Sequence, residues 1–316
     1  MKLLAAVNKY VIYRKSLGAS FLRNEECLKS FIRAVGHDKN LSDIQANKIN
    51  AFLAGDGPIT PNWHFKYSSL RGFYNYIISR EYTKTSPLPV DIPKRPQLFV
   101  PYIYSVEELR ALLEASLIYQ KNRGSHLEPH LVRTFLLLLY GAGLRISEAI
   151  KLTMADVDLP HALLTIRETK FYKTRLIPLG KQLTQSLSQY DIQRHREKHS
   201  RNPEAPFFIG KNGKAINKCA FEDAFRKIRR KAGVERRDSS RYQPRLHDLR
   251  HTFAVHRLTA WYKQGVDVQK WLPILSEYLG HTRISSTSVY LTMTPVLLEE
   301  AGKLFQRYVF TEEYHD

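Results

Sequence analysis

The sequence predicts a mainly α-helical protein with two domains, the second of which carries a small antiparallel β-sheet. Three observations support this fold class. Apolar residues recur at helical spacing along most of the chain. A proline-rich segment interrupts the chain between Ser86 and Tyr102, and two short runs with strand-like composition follow further on. At 316 residues, the chain is also longer than a single hydrophobic core usually supports.

The first domain, residues 1–85, is predicted to be a small helical bundle. Apolar residues at helical spacing define about four helices, in segments 3–13, 27–35, 44–53 and 63–78. In the last of these, bases alternate with aromatic residues. We expect Phe73 and Tyr76 to lie in the core, whereas Lys66 and Arg71 either contact phosphate or are simply solvated.

A linker and a second domain follow. The linker, residues 86–104, contains five prolines up to Pro101, and this density favours an extended and fairly stiff segment. Ser105 and Glu108 then match the pattern of a helix N-terminal capping box. The second domain therefore spans residues 105–316 and begins with a helix.

The second domain is predicted to be mostly helical around one β-hairpin. Helical spacing marks segments 107–119 and 131–140. Segments 162–166 and 175–179 are then predicted to be two antiparallel strands, joined by a polar tip at 167–174. Helices resume after Leu183 and continue to the C-terminus.

Charge indicates the class of partner. The net charge is +19, and both domains contain more Lys and Arg than Asp and Glu. Such an excess of positive charge destabilises a compact fold by self-repulsion unless a bound polyanion neutralises it. Nucleic acid is therefore the favoured partner, and an anionic membrane surface is the competitor. Apolar runs are far shorter than the roughly twenty residues that cross a bilayer, so no membrane-spanning segment is expected. Of the two candidate partners, nucleic acid is predicted and no membrane.

Cysteine usage and missing motifs exclude several other classes. Cys27 and Cys219 are the only cysteines and form no C-x-x-C pair, which is typical of reduced thiols in a cytoplasmic protein. The sequence contains no P-loop, no dinucleotide-binding fingerprint and no H-E-x-x-H motif. We therefore expect no cofactor and no metal.

Four short motifs in the second domain carry the candidate chemistry. Phosphoryl transfer without metal needs a protein nucleophile, cations for the non-bridging oxygens and an acid for the leaving oxygen. The motifs are GAGLRISE at 141–148, TKFYKTRLIPL at 169–179, RLHDLRHTFA at 245–254 and YLGHTRISSTSVY at 278–290.

These motifs resemble those of the tyrosine recombinase (phage-type integrase) family in residues, order and spacing. A G-x-G-L-R-x-S-E box precedes a hairpin lysine, then H-x-L-R-H-T, then L-G-H with a tyrosine nine residues later. The resemblance spans nearly the whole chain. It implies that residues 1–85 are a helical core-binding domain and that residues 105–316 are the catalytic domain.

The resemblance implies a nucleophile and two phosphate-binding cations. Tyr290 would attack the scissile phosphate and form a 3′-phosphotyrosine. Arg145 and Arg250 would bind the non-bridging oxygens, for which the planar guanidinium fork is suited. His251 directly follows Arg250, and we expect helical geometry to direct it elsewhere.

The resemblance also implies groups that handle protons and support the site. Lys170 would be the general acid for the 5′-oxygen, and Lys173, in the same hairpin, is the alternative. His247 and His281 would orient the phosphate and assist proton transfer. Glu148 would have a supporting role behind the residues that contact the phosphate.

Several basic residues are candidate DNA contacts, with a solvated surface as the alternative reading. The segment 225–241 is especially rich in them. The candidates are Lys66, Arg71, Lys173, Arg175, Arg229, Arg230 and Arg241.

What the resemblance implies for function is site-specific DNA recombination in the cytoplasm, nucleoid-associated when acting. The partners would be double-stranded DNA, clamped between the two basic domains, and a homo-tetramer in the synaptic complex, with accessory recombination proteins as further candidates.

The spacing of 31 positions from Arg250 to His281 resembles that in integrases of mobile elements. An amphipathic helix over 295–305 would dock on a neighbouring protomer. Type IB topoisomerase activity and a non-catalytic DNA-binding regulator remain the alternatives.

Overall fold

Two compact units make up the chain. The computed structural model describes residues 1–55, 59–95, 100–119, 127–167, 174–197, 199–238, 240, 242–292 and 295–311. The units are Met1–Phe99 and Val100–Asp316, so the division falls within the predicted linker segment 86–104. Among the helices of the described residues, none combines the length and apolar composition needed to cross a membrane.

The first unit is a helical bundle. Each of its α-helices overlaps one of the four segments that apolar spacing predicts, although α2 begins five residues earlier than predicted. Helix α4 begins at a proline, which suits the first helical position. They are α1 (Leu3–Ser16), α2 (Leu22–Val35), α3 (Ala46–Ala54) and α4 (Pro61–Ser79). Phe73 is fully buried, as predicted. Tyr76 is only half-buried and stacks on Tyr13 with ring centroids 5.0 Å apart.

Helices dominate the second unit, and the predicted capping box begins the first of them. The backbone N–H of Ser105 donates to Glu108 Oε2 at 2.8 Å, and the N–H of Glu108 donates to Ser105 Oγ at 3.1 Å. The helices of the described part are α5 (Val106–Tyr119), α6 (Pro129–Gly141), α7 (Ile146–Ile150), α8 (Lys181–Arg196), α9 (Lys218–Lys231), α10 (Asp248–Lys263), α11 (Val268–Leu279), α12 (Ser285–Ser288) and α13 (Pro295–Thr311).

A three-stranded antiparallel sheet interrupts these helices. Its strands β1 (Val157–Asp158), β2 (Leu163–Ile166) and β3 (Arg175–Pro178) lie in sequence order. The β2–β3 pairing confirms the predicted hairpin, and Ile166 lies opposite Arg175. The two residues of β1 are too few for an alternating pattern, which is why the sequence did not predict that strand. The hairpin tip, 168–173, lies outside the described residues.

Helix α13 packs on α10 of the same chain. Leu297 is fully buried there, in the hydrophobic cluster that also contains Tyr290 and Leu258. At Leu297, α13 thus buries apolar surface against its own unit. Docking of this helix on a neighbouring protomer stays a prediction.

Candidate active site

The turn between α6 and α7 positions Arg145. Gly143 has φ +59°, and a Cβ at this position would lie 2.5 Å from Cδ1 of Phe253. Only glycine therefore fits this turn without a shift of the neighbouring ring. The chain then reaches Arg145 as the N-cap of α7, with its side chain partly exposed.

Glu148 lies between two arginines. Its Oε1 is 2.6 Å from Arg145 Nη1, and its Oε2 is 2.8 Å from Arg175 Nη2. Its side chain is 8% exposed. Burial by itself raises the pKa of Glu148, but the hydrogen bonds and charges of Arg175 and Arg145 outweigh burial and lower that pKa to about 2. Glu148 is therefore a carboxylate that orients both guanidinium groups.

Three arginines meet at the C-terminus of α11. The last carbonyls of a helix lack intrahelical partners, and cationic side chains are favourable donors to them. Three consecutive backbone carbonyls accept hydrogen bonds in this way. Arg175 Nε donates to the carbonyl of Tyr278 at 2.9 Å, Arg250 Nη2 donates to that of Leu279, and Arg145 Nη2 donates to that of Gly280 at 3.1 Å. This contact brings the motifs at 141–148, 245–254 and 278–290 together.

Arg250 is the most enclosed of these cations. It is 2% exposed, and its Nη1 donates to the carbonyl of Gly143 at 2.7 Å. Burial, followed by the charge of Arg145, lowers the pKa of Arg250 to about 9. The group is therefore still a cation at neutral pH, so a buried positive charge is available for an anionic ligand.

Tyr290 lies beside two histidines. The tyrosine is 2% exposed and sits on the 3₁₀ turn Val289–Thr292. His251 Nδ1 lies 3.0 Å from its hydroxyl, and the His281 ring lies 6.2 Å from its ring, centroid to centroid. His247 packs edge-on against His251 at 4.9 Å. The predicted nucleophile and both predicted histidines thus share one site.

The expectation for His251 was wrong. His247 and His251 stand at positions i and i+4, and residues at this spacing share one face of a helix. This spacing therefore places His251 on the same side of α10 as His247, and the two rings contact each other. The H-x-x-x-H spacing within 247–251 is the sequence signal that could have identified this residue.

All three histidines of the site are neutral at pH 7. Burial, together with the charges of nearby groups, lowers the pKa of each of them to about 4. Arg250 contributes in every case. His281 Nδ1 lies 2.7 Å from Thr287 Oγ1, which holds its ring in place.

Two predicted DNA contacts turn inward instead. Arg175 bonds to Glu148 and to the end of α11, and its side chain is largely buried. Arg229 is 5% exposed and donates to the carbonyl of Val234 at 2.8 Å and to Gln243 Oε1 at 3.1 Å. Both arginines serve the fold, because each donates hydrogen bonds to acceptors within its own unit.

The remaining predicted contacts have different surroundings. Arg71 and Arg230 are exposed. Lys66 Nζ donates to the carbonyl of Phe52 at 2.6 Å, near the end of α3. The predicted residues Lys170, Lys173 and Arg241 lie outside the described residues. Within the ranges described, no cluster of three or more His, Cys, Asp or Glu could hold a metal ion.

Comparison with known proteins shows the family. Residues 106–295 match the phage integrase family. The chain is 32% identical to y4rB of Sinorhizobium fredii, named as an integrase/recombinase, over 96% of both chains. It is 27% identical to tyrosine recombinase XerD of Listeria innocua, over 94% of this chain and 95% of that one.

Solved structures share the fold. A lambda integrase tetramer bound to a Holliday junction is similar with a TM-score of 0.66 at 15% identity, over 92% of this chain and 77% of that one. The Tn1549 transposon integrase bound to transposon right-end DNA is similar with a TM-score of 0.68 at 15% identity, over 97% and 99%. With the sequence match across most of the second unit, these findings lead to one conclusion: the chain belongs to the phage integrase family.

Proposed function

We propose that this chain is a site-specific DNA recombinase that cuts and rejoins strands through a 3′-phosphotyrosine. The observation that carries the proposal is the buried Tyr290 hydroxyl in one site with Arg145, Arg250 and neutral histidines. Burial raises the pKa of Tyr290, and the charges of Arg250 and Arg145 oppose that rise. The cations that would bind the phosphate thus also act on the nucleophile.

In the cleavage step, Tyr290 Oη attacks the scissile phosphorus while the bond to the 5′-oxygen breaks. Arg145 and Arg250 stabilise the negative charge that builds on the non-bridging oxygens. The leaving oxygen takes a proton from a general acid, Lys170 or Lys173, an assignment that rests on the family resemblance. Rejoining reverses these steps with the 5′-hydroxyl of another strand. Because the covalent link conserves the phosphodiester energy, the cycle needs no nucleotide.

The DNA would contact both units. The net charge of +19 and exposed cations such as Arg71 and Arg230 support binding to phosphates. In this proposal, residues 1–85 form the core-binding domain and residues 105–316 the catalytic domain. The tetramer and the mobile-element role are proposed from the lambda and Tn1549 integrases named above, and accessory proteins remain further candidate partners.

The test is an SDS-trapped adduct assay on a supercoiled plasmid that carries DNA flanking the native gene, with EDTA and no nucleotide. Wild type and Tyr278→Phe, which also loses a tyrosine hydroxyl in this unit, should form the adduct. Tyr290→Phe should bind DNA and form none. A full adduct in Tyr290→Phe, or none in wild type, would overturn the proposal.

A two-site plasmid distinguishes recombination from relaxation. Recombinant joints between the two sites are expected from wild type. Relaxed plasmid with an adduct and no joints would instead indicate the topoisomerase alternative.

A further inference from the structure

The Tyr290 hydroxyl has a partner to which the motif resemblance assigns no role. His251 Nδ1 lies 3.0 Å from Tyr290 Oη, and the two rings contact each other with centroids 5.6 Å apart. This distance is that of a hydrogen bond between a hydroxyl and a ring nitrogen. Tyr290 is 2% exposed, and His251 is half-buried.

The two histidines to which the resemblance does assign a role, His247 and His281, make other contacts than His251 does. Among the described residues, neither His247 nor His281 hydrogen-bonds to Tyr290 Oη. His281 uses Nδ1 on Thr287 Oγ1 at 2.7 Å. His247 contacts the His251 ring edge-on and so restricts its rotation.

The protonation state of His251 suits a proton acceptor. Burial, followed by the charges of Arg245 and Arg250, lowers the pKa of His251 to about 4, so the imidazole is neutral at pH 7. A neutral imidazole carries one proton. We assign it to Nε2, because Tyr290 then donates its hydroxyl proton to a free Nδ1 lone pair.

We propose that His251 is the general base for Tyr290. The inference rests on the recombinase function proposed above. As Oη bonds to phosphorus, its proton passes to His251 Nδ1, the bond to the 5′-oxygen breaks, and that oxygen takes its proton from the separate acid. In rejoining, a 5′-hydroxyl oxygen bonds to phosphorus and gives its proton back to the separate acid, the bond between Oη and phosphorus breaks, and His251 returns the proton to Tyr290.

A base is needed because phenolate is scarce in this site. Burial raises the pKa of Tyr290, so the hydroxyl keeps its proton at neutral pH. General base catalysis by a positioned side chain contributes typically 10²–10⁴-fold in rate. Within the described part of the chain, the titratable and charged groups that face His251 are His247, Tyr290, Arg245, Arg250 and His281.

The test compares His251→Gln with His256→Gln. The control is closely matched, because His256 lies on the same helix with its Nδ1 2.9 Å from the hydroxyl of Tyr140. The readout is the rate of adduct formation from a nicked suicide substrate between pH 6 and 8, where Arg250 keeps its charge, with thermal melting to verify folding. His251→Asn replaces the Gln variant if that one melts early.

The expected result at pH 7 is a loss of about 10²-fold or more in His251→Gln, with His256→Gln near wild type. The rate of His251→Gln should then rise about tenfold per pH unit as phenolate forms without a base, whereas the wild-type rate stays nearly flat. A wild-type rate in His251→Gln, or a loss of equal size at every pH, would overturn the proposal.

A second substrate separates the base from the acid. A 5′-bridging phosphorothiolate has a leaving group that needs no proton, so it should restore cleavage by variants of the acid and leave His251→Gln slow. Rescue of His251→Gln would place His251 on the leaving group instead and overturn the proposal. Absence of the adduct in wild type would contradict the recombinase function itself. That outcome differs from a failure of the His251 proposal alone, in which wild type still forms the adduct.

Discussion

Arg250 donates a hydrogen bond to the backbone carbonyl of Gly143 at 2.7 Å, although 107 positions separate the two residues. A buried guanidinium must find acceptors, and here it finds backbone oxygens of two other motifs, at Gly143 and Leu279. The position of the Arg250 guanidinium thus depends on the backbone conformation of the turn at Gly143.

Gly143→Ala should therefore destabilise the second unit. The added Cβ would stand 2.5 Å from the Phe253 ring in a residue with φ +59°, so we expect a loss of about 2–4 kcal/mol in the free energy of unfolding. Urea denaturation measures it. Gly265→Ala is the control, because its φ is +69° with open space around the Cβ and its cost should be about 1 kcal/mol. Equal losses would contradict the role of the Phe253 contact.

Glu148→Gln should destabilise the protein in a pH-dependent way. The folded-state pKa of Glu148 is depressed to about 2, so its carboxylate stabilises the fold above the unfolded pKa and this stabilisation is lost as pH falls toward 2. We expect a cost of roughly 2–4 kcal/mol at pH 7 that shrinks between pH 4.5 and 2. Denaturant titrations at several pH values measure the difference between wild type and variant.

The control for this experiment is Glu114→Gln, an exposed carboxylate on α5, which should cost less than about 0.5 kcal/mol. A cost of Glu148→Gln that stays constant down to pH 2 would show that the charge on Glu148 does not hold the arginines.

Leu297→Ala tests the packing of α13 on its own chain. Leu297 is 0% exposed in the cluster that contains Tyr290, so the truncation should cost about 2–4 kcal/mol in the monomer. Leu298→Ala, at a residue that is 52% exposed, should stay within about 0.5 kcal/mol. Unchanged monomer stability in Leu297→Ala would favour docking of the helix on a neighbour.

Arg229 and Arg230 are adjacent, but their substitution should affect different properties: stability for Arg229 and DNA affinity for Arg230. Arg230 is exposed, so Arg230→Gln should weaken DNA binding and lower the slope of log affinity against log salt by about one. Arg229→Gln should instead lower stability by about 1–3 kcal/mol, because it removes the hydrogen bonds to Gln243 and to the buried carbonyl of Val234. Melting curves and salt titrations measure both, and an unchanged salt slope in Arg230→Gln would remove it from the DNA surface.

Local sequence patterns determined the elements of the fold. The four helices of the first unit, the Ser105–Glu108 capping box and the β2–β3 hairpin all follow from periodicity and capping within a few residues. The motifs also identified Arg145, Arg250, His247 and His281, which share a site with Tyr290, because their order and spacing match a family.

Only the tertiary structure decided which way each side chain turns. Arg229 is buried beside exposed Arg230, Arg175 reaches Glu148, and His251 meets Tyr290 across 39 positions. These outcomes depend on what distant segments place opposite each residue. A buried charge or nucleophile is stable only where such a segment supplies its partner, and local periodicity carries no information about that partner.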